Sequence, residues 1–163
     1  MLFLFLPAKN SGQANINEFL RIHIRANSNN LNDQEVKYEV KDEIVKVLTP
    51  ILSEVKTKEE ATSVISENLT LIENTANNVL SKNGFSYGSC AQITQEYFPT
   101  RSYNTLTLKS GVYDAIIVNL GSGMGNNWWC VVYPPMCFVP SDGNEQNIEF
   151  KSKIVEIIKN FFK

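Results

Sequence analysis

The segment from Gly121 to Phe138, with the sequence GSGMGNNWWCVVYPPMCF, constrains the fold more than any other part of the chain. It contains both tryptophans and two of the three cysteines. Its glycines can adopt positive φ and allow two backbones to approach closely. Residues that favour strands follow the glycines, and two prolines then remove the backbone donors that a strand needs. The pattern predicts a strand from Trp128 to Tyr133, paired with the strand that precedes it in the chain.

The two adjacent tryptophans, Trp128 and Trp129, are expected to point to opposite faces of this strand, because side chains alternate along a strand. One indole can enter the core, while the other packs under a helix or lies exposed. The favoured interpretation is that both pack within a central strand, since aromatic side chains mostly supply core area. The alternative is that the exposed indole contacts a partner protein, because tryptophan is enriched at interface hot spots.

The composition is that of an ordinary globular domain. The chain has 163 residues, of which 43% are hydrophobic and 20% charged, enough for one domain with a real core. A net charge of −2 argues against a nucleic-acid-binding protein, and a single histidine argues against a multi-histidine metal site. No apolar run approaches the roughly 20 residues of a membrane-spanning helix. We therefore expect one soluble domain.

The first 14 residues resemble the end of a secretory signal. An apolar run from Met1 to Leu6 is followed by a proline, and Gly12 and Ala14 stand where a cleavage site would have small residues. The run is short for a complete signal, and no basic segment precedes it. We interpret residues 1–14 as a partial export signal, with a hydrophobic N-terminal arm as the alternative, and expect the fold to begin at residue 15.

Apolar and polar side chains alternate from Phe19 to Arg25, which predicts a half-buried first strand. Arg21, His23 and Arg25 share its polar side. We expect this side to be a solvated face unless helices cover it, and the alternative is a charged surface that contacts a receptor. Asn27 follows in a turn, which its side chain can shape through hydrogen bonds to the backbone.

Two amphipathic helices are predicted after this strand. Apolar residues recur at spacings of three and four from Val36 to Val55, with Pro50 expected to kink the helix or to restart it with Thr49 as a cap. Thr57 to Glu60 has the spacing of a capping box that begins the second helix. Asn83 and Gly84 are placed to end it in a left-handed turn.

The rest of the chain predicts further strands and a last helix. A period of two from Phe85 to Tyr97 predicts a second strand, Tyr103 to Thr107 a short edge strand, and Val112 to Leu120, apolar on both faces, a central strand. Residues 141–163 have the spacing of a C-terminal amphipathic helix. The predicted architecture is a single α+β domain, with two helices after the first strand packed on a mainly antiparallel sheet, plus the C-terminal helix.

Three segments together resemble the stage II sporulation protein R family of endospore-forming bacteria. They are LRIHIRANS at residues 20–28 with Asp33 and Gln34 just after, FPTRSY at 98–103, and GMGNNWWCVVYPPMCF at 123–138. GVYDA at 111–115 also resembles a Gly-x-Tyr-x-Ala run of the family. The similarity covers about residues 19 to 139 in the expected order and assigns residues 15–140 to one family-like domain.

The resemblance implies a signalling protein rather than an enzyme, with no cofactor, nucleic acid or small-molecule substrate. Members of the family are exported from the forespore into the space between the two membranes that separate it from the mother cell, either free there or membrane-associated. They activate a membrane-embedded aspartic-type protease, stage II sporulation protein GA, which then cleaves the pro-sigma E precursor in the mother cell.

For this function the expected partner contacts lie on the first strand, its turn and the tryptophan segment: Arg21, His23, Arg25, Asn27, Asn127, Trp128 and Trp129. The glycines before the tryptophans do not form a dinucleotide fingerprint, because they lead into a strand rather than a helix. No set of metal ligands is visible in the sequence.

The cysteines leave two questions open. Cys130 and Cys137 can form a disulfide in an exported protein or remain two buried thiols, with Cys90 left over as a core thiol. A competing function is a Cys-His cell-wall hydrolase that pairs His23 with Cys130 or Cys137, with Asn27 or Asp33 orienting the base. Against it, Cys130 follows a strand and not a helix N-terminus, where thiolates are commonly activated.

Overall fold

The computed structural model describes residues 15–103 and 106–136, with only the backbone described at Leu106. The predicted export segment at residues 1–14 and the predicted C-terminal helix at residues 141–163 lie outside these ranges, and so does Cys137. Both terminal assignments therefore stay predictions.

The described residues form three α-helices and a mixed, mainly antiparallel sheet, which confirms the predicted α+β domain. A short 3₁₀ helix, Ile16–Glu18, precedes the first strand. The strands and helices are β1 Leu20–Arg25, α1 Leu31–Leu52, α2 Lys58–Glu67, α3 Leu69–Lys82, β2 Ser89–Phe98, β3 Arg101–Tyr103, β4 Leu106–Leu108, β5 Gly111–Leu120 and β6 Asn127–Tyr133. Within this part of the chain, no helix combines the length and the apolar character needed to cross a bilayer.

The four-stranded sheet has the order β2-β5-β1-β6. β1 pairs with β5 in parallel and with β6 antiparallel, while β2 and β5 are antiparallel. The prediction that β6 pairs with the preceding strand is wrong, because β1 lies between β5 and β6. The residues predicted as one edge strand, Tyr103 to Thr107, instead belong to two strands, β3 and β4, that form a separate hairpin.

The connection from β5 to β6 explains this order. It crosses the end of β1, where the Gly125 N–H donates to the Ala26 carbonyl at 2.8 Å. A Cβ on Gly125 would lie 2.3 Å from the Ser28 carbonyl oxygen, so the two backbones are in direct contact. Gly121 and Gly123 have φ of +56° and +64°, which confirms the predicted positive φ in this segment. The glycines therefore allow a crossing over β1 rather than a tight hairpin.

The first helix runs through the predicted break. Pro50 lies inside α1, which ends at Leu52, and Thr49 does not cap a new helix. The Thr49 hydroxyl donates instead to the Val45 carbonyl at 2.7 Å, within the same helix. Pro50 has no N–H to donate within the helix, and α1 ends two residues later.

The second predicted helix is divided in two at Asn68. The side-chain amide of Asn68 donates to the Val64 carbonyl at 2.8 Å, and this competes with the backbone hydrogen bonds of a continuous helix. The predicted ends are confirmed: the Thr57 hydroxyl accepts a hydrogen bond from the Glu60 N–H at 3.1 Å, and Gly84 closes α3 with φ of +78°.

The sheet is buried on both faces. The helices cover the face that carries Ile22 and Val118, forming the larger core. The opposite face forms a second core, whose members are Phe19, Phe98, Leu108, Tyr113, Ala115, Ile117 and Val131. The β3–β4 hairpin contributes Leu108 to this second core, with Tyr103 packed against it. β1 is consequently buried on both sides, and its prediction as a half-buried strand is wrong.

Candidate functional site

The polar side of β1 is a buried surface and not a solvated one. Arg21 is 0% exposed and His23 5% exposed, while Arg25 is partly exposed. The helices lie on the other face, so they are not the cause. The end of β2 and the β3–β4 hairpin cover these side chains, as the contacts of Phe98 and Tyr103 show. A direct contact of Arg21 or His23 with a partner would require this cover to move.

His23 and Arg25 share one carboxylate, that of Glu96 on β2. The His23 Nδ1 lies 2.7 Å from Glu96 Oε2, and Arg25 forms an ion pair with the other carboxylate oxygen. Burial lowers the pKa of His23 to about 4. An interaction with the Asn127 side chain opposes this shift, while the nearby charges of Arg25 and Arg21 add to it. His23 is therefore neutral at pH 7 and donates its Nδ1–H to Glu96. Its buried Nε2 makes no hydrogen bond of normal geometry within the described part of the chain.

Arg21 lies in a cage of aromatic rings. Its Cζ is 4.1 Å from the centroid of the Phe98 ring, 4.8 Å from that of Tyr113 and 5.8 Å from that of Tyr103. Its Nη2 donates to the Tyr103 hydroxyl at 2.7 Å. Its Nε and Nη1 are buried and have no hydrogen-bond partner among residues 15–103 and 106–136. Burial lowers the pKa of Arg21, but arginine remains charged at neutral pH because its ordinary pKa is so high.

The two tryptophans lie on opposite faces of β6, as predicted, and both are partly exposed. Trp128 packs against the helix-side core, with the Lys41 Nζ 5.9 Å from its ring centroid. The ring centroids of Trp129 and His23 are 5.3 Å apart. The Arg101 Cζ lies 4.3 Å from the centroid of the Trp129 ring. The interpretation of a central strand is wrong, since β6 is at the edge of the described four-stranded sheet.

Cys130 does not pair with His23. In the register of β1 and β6, His23 is opposite Trp129, and Cys130 is opposite Ile22 on the helix side. Cys130 is buried and disulfide-bonded, so it does not offer a nucleophilic thiol to His23. Because Cys137 lies outside the described residues, its pairing with Cys130 or with His23 stays a prediction. The expectation of a core thiol at Cys90 is wrong: it is free and exposed, since its face of β2 is left open there.

Asn27 holds the turn after β1 to the start of α1 and to the glycine segment. Its Nδ2 donates to Asp33 Oδ2 at 3.0 Å, and its Oδ1 accepts from the Ser122 N–H at 2.9 Å. Ser28 and Tyr87 hydroxyls also donate to the Asp33 carboxylate, each at 2.5 Å. Burial alone would raise the pKa of Asp33, but these hydrogen bonds outweigh it and lower the pKa. Asn27 thus has a structural function, whether or not it contacts a partner.

Sequence reasoning missed the groups that surround the polar side of β1. Glu96, Phe98, Tyr103 and Tyr113 were not predicted to contact Arg21 or His23, although alternation along β2 places Glu96 and Phe98 on one face. Asn127, the remaining contact candidate, is exposed at the start of β6. No group of three or more histidine, cysteine, aspartate or glutamate side chains in the described ranges is placed to hold a metal ion.

The fold and site are those of a small α+β domain with a buried polar strand and a partly exposed aromatic strand beside it. The family model described as stage II sporulation protein R (spore_II_R) matches residues 16–143, most of the chain. The protein therefore belongs to the stage II sporulation protein R family, which confirms the resemblance seen in its sequence.

A curated relative named stage II sporulation protein R, from Bacillus subtilis (strain 168), is 34% identical over 134 residues. The aligned region is 82% of this chain and 60% of the relative, so the chain spans only about three fifths of the length of that protein. No solved structure matches the chain.

Proposed function

We propose that this protein is an exported sporulation signal that activates a membrane-embedded aspartic-type protease, stage II sporulation protein GA. The activated protease then processes the pro-sigma E precursor in the mother cell. The signal acts from the space between the forespore and mother-cell membranes, after export from the forespore. It acts by surface contact and not by catalysis.

The observation that carries this proposal is the family match over residues 16–143, which includes every strand and helix described above. Family membership supports the sporulation role, and the proposal adds export, the receptor and the processing step. The separation of His23 from Cys130 on opposite faces of the sheet favours a contact mechanism over a hydrolase that pairs these two residues.

The start of β6 is the best candidate for the receptor contact. Asn127 is exposed, and Trp128 and Trp129 are partly exposed on the two faces of the strand. Each indole carries a cationic neighbour, Lys41 on one face and Arg101 on the other. Tryptophan and arginine are enriched where protein interfaces derive most of their binding energy. A receptor segment that binds around the start of β6 would contact both indoles together.

A reconstitution in a bacterium that does not sporulate tests the proposal. The host would produce this chain behind a functional export signal, together with the protease and an epitope-tagged precursor. The expected result is cleavage of the precursor on an immunoblot, lost when the export signal or the protease is omitted. If the exported chain is folded and all three proteins are present but the precursor stays intact, the proposal is wrong.

Substitutions in the same assay test the contact surface. Trp128→Ala and Trp129→Ala are expected to lower cleavage at equal amounts of folded protein. Tyr97→Ala is the matched control, because Tyr97 is an aromatic residue 65% exposed on β2, at the opposite edge of the sheet. Equal losses for the tryptophan variants and for the control would place the contact elsewhere.

A further inference from the structure

The β1 polar cluster, which we define as Arg21, His23, Arg25, Glu96 and Arg101, has more positive than negative groups. It contains three arginines and one glutamate, and the glutamate already binds His23 and Arg25. Two buried N–H donors of Arg21, Nε and Nη1, have no hydrogen-bond partner among the described residues. The buried nitrogen His23 Nε2, an acceptor in the neutral ring, has none there either. Buried arginines are usually paired, because removing the charge from water is costly without a partner. The partner that Arg21 lacks is an anion.

The geometry at Arg21 indicates which anion. A guanidinium binds a carboxylate through two parallel N–H donors, either Nε with Nη2 or Nη1 with Nη2. Both arrangements use Nη2, which has two N–H groups, one for each arrangement. The Tyr103 hydroxyl accepts from one of these N–H groups at 2.7 Å, so it occupies a donor of one arrangement. A carboxylate in place of this hydroxyl would bind through two donors and would give a partner to Nε or Nη1.

Tyr103 belongs to a small cover whose two strands pair only with each other among the described residues. β3 and β4 are three residues each and pair with one another, outside the four-stranded sheet. A two-stranded hairpin is marginally stable on its own. The described contacts that attach this one to the domain include the Tyr103–Arg21 hydrogen bond, the buried Leu108 side chain and the Arg101 guanidinium over Trp129.

We propose that the β3–β4 hairpin covers a carboxylate-binding site, in which a glutamate or aspartate side chain of an acidic peptide segment replaces the Tyr103 hydroxyl on Arg21. His23 Nε2, on the same face two residues along β1, accepts a backbone N–H of that segment, which selects a peptide over a free anion. Trp129, which packs on His23, and Arg101, which lies over Trp129, are the neighbouring side chains that such a peptide would meet. The inference goes beyond the proposed function, since it concerns the ligand chemistry of one site and needs no protease for its test.

Nuclear magnetic resonance of the full chain tests the site directly. The ¹⁵N-labelled protein is titrated with the peptide acetyl-Ala-Glu-Ala-Glu-Ala-amide and, as a matched control, with the peptide in which both glutamates are glutamines. The Nε–H resonance of Arg21 is expected to shift and saturate with the glutamate peptide. The glutamine peptide is expected to bind roughly tenfold more weakly or not at all, because it lacks the charge-assisted hydrogen bonds.

Two substitutions test the binding site and its hairpin cover independently. Arg21→Met keeps a long apolar side chain among the rings and is expected to abolish binding of the glutamate peptide. Leu108→Ala loosens the hairpin without changing charge, and it is expected to lower the apparent Kd several-fold, because the apparent Kd falls as the open fraction rises.

Binding of the glutamate peptide by a folded Arg21→Met variant with the wild-type Kd would overturn the proposal. So would an Arg21 resonance that neither peptide moves, in the wild-type chain and in Leu108→Ala. If circular dichroism shows that Arg21→Met does not fold, the titration of the wild-type chain decides alone. Failure here leaves the protease proposal standing, and failure of the reconstitution leaves the site standing.

Discussion

Replacement of Gly125 by alanine is predicted to destabilise the domain more than its single added methyl group would indicate. The new Cβ would lie 2.3 Å from the Ser28 carbonyl oxygen, whereas ordinary contacts begin at 3.4 Å. The obstacle is backbone, so the crossing segment must move by about 1 Å, and the 2.8 Å hydrogen bond from Gly125 to the Ala26 carbonyl is weakened or lost. Overpacking and the lost hydrogen bond together are worth about 3 kcal/mol. Because the φ of Gly125 is outside the left-handed region, no left-handed backbone strain adds to this value.

Thermal unfolding followed by circular dichroism measures the effect. For a domain of this size, about 3 kcal/mol corresponds to a decrease in Tm of roughly 6–12 °C. Gly111→Ala is the matched control: its Cβ would meet nothing closer than 3.5 Å, and its Tm is expected to change little. Equal Tm values for the two variants would refute the reasoning, and with it the close crossing of the glycine segment over the end of β1.

Three further predictions concern stability. His23 has a folded pKa of about 4 against an ordinary 6.5, so below pH 6.5 the unfolded chain binds a proton that the folded chain does not. The free energy of unfolding should therefore fall by about 2 kcal/mol between pH 6.5 and about pH 5. In urea denaturation, the free energy of unfolding of His23→Gln should depend less on pH. A wild-type dependence no steeper than that of His23→Gln would contradict the depressed pKa. Asp33→Asn removes the charged acceptor of three side-chain hydrogen bonds and should lower the free energy of unfolding by about 2–3 kcal/mol. Tyr87→Phe removes one of these hydrogen bonds and should lower it by about 1 kcal/mol. Equal effects of the two substitutions would contradict the shared network. Thr57→Ala removes the cap of α2 and should cost about 1 kcal/mol in the same assay, with the exposed Thr70→Ala as a control that changes little.

The features that the sequence predicted correctly are those determined by nearby residues. The cap at Thr57 and the left-handed turn at Gly84 depend on a few neighbouring positions, and the structure has both. The bounds of β1 and β5 were predicted to within one residue. The alternation of apolar and polar side chains in β1 and the continuous apolar run in β5 are both clear in the sequence. Asn68 shows the limit of this approach, because its amide interrupts an apolar spacing that otherwise predicts one continuous helix.

The features that it missed depend on residues far apart in the chain. Adjacent strands most often form hairpins, but the parallel pairing of β1 with β5 displaces β6 to the other side of β1. The burial of Arg21 depends on Tyr103, 82 residues away, and that of His23 on Glu96, 73 residues away. A polar stripe on a strand is normally solvated, and no local pattern in β1 indicates a cover formed by β2 and the β3–β4 hairpin.

The central claim is that the protein signals through a contact at the start of β6. Photo-crosslinking in the reconstituted host tests it most directly, with a benzoylphenylalanine in place of Trp128, Trp129 or, as the control, Tyr97. The account predicts a crosslink to the protease from position 128 or 129, none from position 97, and precursor cleavage in the control strain. The claim would be contradicted if the precursor is cleaved but the crosslink forms only from position 97, or from none of the three positions.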